Sequence, residues 1–176
     1  MKRLQGSHDG GTLRVAVVVS RFNEAVTEAL LAGALEGLEE TGVPTGSVTV
    51  VSVPGAFELP GTARQLAASG SVDAVVCLGA VIRGQTEHFT FVAAAAQEGI
   101  LRVSLDTGVP VIFGVLTTED MEQAEARAGK ASTGGGGASE GGAYGNKGYE
   151  AALDAVEMAN LYRRLARGLA DAGGEE

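Results

Sequence analysis

The stretch Ala74-Val75-Val76-Cys77-Leu78-Gly79-Ala80-Val81-Ile82-Arg83-Gly84-Gln85-Thr86-Glu87-His88 decides the fold. It begins as an unbroken apolar run, as a strand buried on both faces does. It then enters a short glycine-containing loop of small and polar residues, with a histidine where a helix should start. In an open parallel α/β sheet, ligands bind beyond the carboxyl ends of the strands, and this loop falls there. A helix N-terminus offers unpaired N–H groups and the positive end of a dipole, which suit a phosphate. The same dipole disfavours an imidazolium, so a histidine in the first turn can act as a neutral base. One segment therefore supplies an anion seat and a proton-transfer group.

Working outward, three further short β-branched runs alternate with helical patterns. Strands are expected over 13–20, 47–53, 74–79 and 111–116. Between the first two, Val26, Leu30, Leu31 and Leu35 recur at helical spacing over 24–41, and Gly42 follows as a stop. Pro60 belongs in the first turn of the next helix, which should end near Ala68. Helices are expected over 88–106, 120–127 and 148–170, with Thr117 and Asp120 as a capping box for the second of these. Such β-α alternation predicts a single doubly wound α/β domain, with helices on both faces of a four-stranded parallel sheet. The first dozen residues could add an edge strand, and that segment alone does not decide it. Residues 132–145 are half glycine and read as a flexible insertion between two helices, and 171–176 as a frayed tail.

Composition narrows the function. The chain has 176 residues, one domain's worth, with 13 Lys plus Arg against 22 Asp plus Glu and a net charge of −9. That balance repels a phosphodiester backbone and argues against nucleic-acid binding, while leaving room for a small phosphorylated substrate. The longest apolar runs are too short for a membrane span or a signal peptide, so a cytoplasmic protein is expected. Cys77 is the only cysteine. It lies among Val and Leu with no base nearby, and reads as a small core residue. The glycine-rich stretch is not a phosphate-binding P-loop, because Asn146 rather than glycine precedes Lys147. No cofactor motif or metal-ligand cluster is present in the sequence.

The chemically interesting residues fall where strands end. Phe22 and Asn23 follow the first strand, and the ring serves equally to stack on a planar heterocycle or to staple the next helix. After the second strand come Ala56, Phe57 and Glu58, the last near a helix start where a carboxylate is also a natural cap. Ala80, Val81 and Ile82 follow the third. Gln85 and Thr86 supply donors ahead of His88, which on sequence alone is either a catalytic or a capping residue. His8 sits in a polar segment and reads as solvated. Arg127 has no acidic residue at helical spacing, which leaves its guanidinium free for a phosphate or merely for water.

These segments together resemble the 6,7-dimethyl-8-ribityllumazine synthase family of riboflavin biosynthesis. The resemblance rests on VVSRFNE near residue 20, VPGAFELP near 55, GAVIRGQTEH at 79–88, PVIFGVLTTED near 115 and NKGYEAALDAVEMANL from 146. It implies the flavodoxin-like lumazine synthase fold, a three-layer α/β/α sandwich. It also implies a transferase that joins 5-amino-6-(D-ribitylamino)uracil to 3,4-dihydroxy-2-butanone 4-phosphate, without a cofactor. By resemblance, Phe22 and the backbone of Ala80, Val81 and Ile82 meet the pyrimidine, and Asn23 is a further substrate-binding residue. Ala56, Phe57 and Glu58 follow the ribityl chain, and Gln85, Thr86 and Arg127 take the phosphate. His88 moves protons, Lys147 lies near the site, and Phe113 comes from an adjacent subunit. The family's assembly implies a homo-oligomer, and the insertion favours a pentamer over an icosahedral cage. A riboflavin synthase is a further partner that the resemblance allows. Two other readings share the fold: an archaeal-type riboflavin synthase and a non-catalytic flavin- or lumazine-binding shell protein.

Overall fold

Four runs rich in valine pair in parallel: β1 (Val15–Ser20), β2 (Val48–Val53), β3 (Ala74–Ile82) and β4 (Val111–Thr118), in the order β2-β1-β3-β4. This computed structural model describes residues 3–129 and 145–172, with side chains through residue 168. Residues 132–144 of the insertion and 173–176 of the tail lie outside the described residues. Alternation along β1 divides the core. Val15, Val17 and Val19 join one apolar cluster, while Ala16 and Val18 join the other. The first cluster is completed by α1 (Glu24–Glu40), α4 (Met121–Arg127) and α5 (Lys147–Ala172). The second is completed by α2 (Leu59–Ala68) and α3 (His88–Thr107). The result is the expected α/β/α sandwich around a parallel sheet.

Glycine lets the first cluster close up. A Cβ on Gly37 of α1 would stand 3.1 Å from Ala152 Cβ of α5, and one on Gly148 only 1.9 Å from the Leu30 carbonyl oxygen. On the other face Cys77 is fully buried, and burial pushes its thiol up to about 12, so it stays protonated as a core residue.

Two expectations need correction, and one open point is decided. β3 and β4 run past Gly79 and Leu116, because the two strands keep pairing to Ile82↔Thr118. Thr117 is therefore a strand residue, and the helix cap is Asp120: its carboxylate accepts from Gln123 N at 2.8 Å, while Glu119 N donates back to Gln123 Oε1. The amino-terminal segment adds no strand to this sheet. Its carbonyls are taken instead by α5, with Asn160 donating to Ser7 and Asp9 and Arg164 to Gln5. His8, half-exposed, lies 3.4 Å from Glu157. Among the described residues, no helix is long and apolar enough to cross a membrane.

Candidate functional site

The strand order reverses direction between β1 and β3, and the crevice at such a switch point is where open α/β sheets bind ligands. A cavity of about 730 Å³ opens there. Each wall follows from how one strand ends.

Beyond β1 the chain keeps pairing with β2, through Arg21 N to Val53 O and Phe22 N to Pro54 O. This holds Phe22 at the rim with 70% of its surface exposed. Asn23 then adopts a left-handed backbone, φ 59°, to turn into α1. Its side-chain amide donates to the Ala80 carbonyl at 2.9 Å and so ties the ends of β1 and β3 together. Beyond β2, Gly55 leaves room for the Glu58 carboxylate, which a Cβ there would approach to 3.2 Å. A 3-10 turn over Ala56–Glu58 buries Ala56 and presents Phe57, 62% exposed. At the end of β3, Ala80, Val81 and Ile82 form the floor, and the chain then rises into the exposed loop 83–87.

That loop is braced from outside. Arg83 lies 4.3 Å from the centre of the Phe89 ring and pairs with Glu119. Gly84, Thr86 and His88 face the cavity. His88 is the first residue of α3, and Glu87 before it makes no side-chain cap to the helix. The first-turn donors of α3 therefore have no capping side chain, beside an imidazole and a threonine hydroxyl. Gln85 is exposed on the loop but does not line the cavity.

The remaining predicted residues lie elsewhere. Phe113, Arg127 and Lys147 line a second cleft of about 290 Å³ along β4 and the first turns of α5, together with Glu150 and Asp154. The Arg127 guanidinium donates to the Gln123 carbonyl at 3.0 Å and makes no ion pair among the described residues. Lys147 is paired with Glu150. Asp154 is held above the usual carboxylate range, first by partial desolvation and then by Glu157 and Glu150. So the predicted residues form two groups on one chain, and the cationic group is not in the histidine's cavity.

Sequence reasoning passed over Phe89 and Phe91. All of the chain's phenylalanines gather at these two openings: Phe22, Phe57, Phe89 and Phe91 at the cavity, Phe113 at the cleft. Phe22, Phe57, Phe91 and Phe113 stay exposed. Large apolar rings left in water at concave sites mark surfaces that something else covers. Two phenylalanines in the first turn of a helix, in His88-Phe89-Thr90-Phe91, were the available signal. Among the described residues, no group of three or more His, Cys, Asp or Glu could hold a metal ion.

Compared with known families, residues 12–163 match the family model described as 6,7-dimethyl-8-ribityllumazine synthase. The match takes in all four strands and reaches well into α5.

Proposed function

The chain belongs to the 6,7-dimethyl-8-ribityllumazine synthase family, enzymes of the riboflavin pathway, and we propose that it catalyses the family's condensation in full. The ring amine of 5-amino-6-(D-ribitylamino)uracil attacks the ketone of 3,4-dihydroxy-2-butanone 4-phosphate and an imine forms with loss of water. Phosphate is then eliminated, and the ribityl-bearing nitrogen closes the second ring with loss of a second water. The nucleophile belongs to the substrate, so the protein's part is largely to hold two molecules in attacking geometry.

In this reading the pyrimidine lies against Phe22 and the backbone of Ala80, Val81 and Ile82. Asn23 acts by fixing the Ala80 carbonyl. The ribityl hydroxyls follow Ala56 and Phe57 to the Glu58 carboxylate. The phosphate sits at the open start of α3 with Gln85 and Thr86, where backbone donors and the helix dipole favour an anion. His88, beside that seat, takes the proton from the attacking amine and returns one as water or phosphate leaves. Phe113 and Arg127 belong to a neighbouring copy's cavity, and Lys147 lines the same cleft with its charge shared with Glu150. The observation that carries the reading is the uncapped start of α3 with His88 in a cavity walled by aromatic rings.

Mixing both purified substrates tests it: lumazine absorbance and inorganic phosphate should rise together, one to one. Riboflavin formed from lumazine alone would assign the dismutation instead. Tight lumazine binding with neither product would make the chain a binding protein.

A further inference from the structure

We infer that Asn146 is a positioning residue that sets where Arg127 stands, and so governs affinity for the phosphorylated substrate; this rests on the phosphate role given to Arg127 above. Asn146 is 9% exposed, and all four hydrogen-bonding positions of its side-chain amide are used. Its nitrogen donates to the Ala29 carbonyl of α1 and to the Ala128 carbonyl at the end of α4, each at 2.8 Å. Its oxygen accepts from Gly148 N at 2.8 Å and Tyr149 N at 3.3 Å, capping α5. Ala128 and Asn146 also form an antiparallel bridge. One side chain thus joins three helices at the point where Arg127 ends α4 and Lys147 begins α5.

The seat is shaped for this group. A Cβ on Gly33 would fall 2.4 Å from the Asn146 amide, and one on Gly129, whose φ is +77°, would fall 3.2 Å from the Asn146 Cβ. Only an amide supplies two donors and an acceptor here. Aspartate keeps the cap on α5 but turns a carboxylate toward two carbonyls. Serine keeps a capping oxygen but is too short to reach Ala29 and Ala128. In either variant the α4 end loses its side-chain tether and keeps only the Ala128–Asn146 backbone bridge, while α5 keeps its start. Arg127, immediately before Ala128, is then free to leave its place beside Phe113.

The test compares Asn146→Asp and Asn146→Ser with the unchanged protein and with Arg127→Ala. KM for the butanone phosphate should rise about tenfold, with kcat and the KM for the ribitylaminouracil within about twofold, as for loss of uniform binding to one substrate. In the Arg127→Ala background, Asn146→Ser should add no further rise, because the two changes remove one interaction. A crystal structure of Asn146→Ser should show the guanidinium displaced. Unchanged KM values, an equal rise for both substrates, additivity with Arg127→Ala, or loss of the fold in both variants would overturn the inference. If the unchanged protein makes no lumazine, the function falls, and the displaced or undisplaced guanidinium still decides the role of Asn146.

Discussion

His88 faces the cavity, whereas Ser20 is buried at the end of β1. His88 opens α3 in solvent reach of the cavity, so its ring can exchange protons with a bound amine. Its replacement by alanine should lower kcat about ten- to a hundredfold, at the low end for proton-transfer groups because an amine needs little activation. Steady-state rates between pH 6 and 8 check this, and wild-type turnover throughout would remove the proton role. Ser20, the last residue of β1, is 1% exposed, and its hydroxyl finds no partner among the described residues. An unpaired buried hydroxyl costs stability, so Ser20→Ala should leave the melting temperature unchanged or raise it. A clear fall would mean that the hydroxyl is bonded in solution. At this scale the sequence was legible where one residue's neighbours in the chain determine its part, as with Pro60 in the first turn of α2 and Gly42 after α1. Asn146 was not, because its partners include Ala29, 117 positions away.

Elements are held at the far end of the sheet by a carboxylate between two arginines. Asp73, just ahead of β3, accepts from Arg14 N at 2.8 Å and Arg14 Nε at 3.2 Å, and meets Arg163 of α5 at 3.1 Å. Partial burial pushes its carboxyl up, but the hydrogen bonds from Arg14 and Arg163 outweigh this and hold it below the usual range. A depressed carboxylate contributes stability above its unfolded pKa of about 4, and that stability is lost as pH falls through the folded value. Asp73→Asn should therefore lower the melting temperature by roughly 3–5 °C at pH 7, and the difference should shrink below pH 4. Melting curves from pH 7 to 3 decide it, and a constant difference would remove Asp73 from the acid response. Element types and order were readable because β-branched runs and helical spacing are local signals. Strand ends were not: β3 and β4 extend each other by cross-strand pairing, which moved the α4 cap from Thr117 to Asp120.

The whole molecule leaves apolar surface that one chain does not cover. Over its 20 residues α3 buries only Ala96, Ile100 and Val103, while Phe91, Leu101 and Leu105 stand exposed along one stripe. The family assembles into oligomers, and the separate placement of His88 and Arg127 within one chain fits a site completed by a neighbour. We expect a pentamer, or two loosely paired, rather than a cage, because the half-glycine sequence of residues 132–145 would cost backbone entropy to order in a contact between pentamers. Light scattering after size exclusion should give a particle of five or ten chains, against which a void-volume particle would stand. The account's central claim is that cavity and cleft are halves of one lumazine-forming site, and a mixing experiment reaches it directly. Oligomers refolded from equal amounts of His88→Ala and Arg127→Ala chains pair one intact half with the other at about a quarter of their sites. With the butanone phosphate held well below its KM, lumazine formation should then recover to about a quarter of the wild-type rate, above either variant alone. Mixed oligomers no faster than the average of the two variants would contradict the shared site.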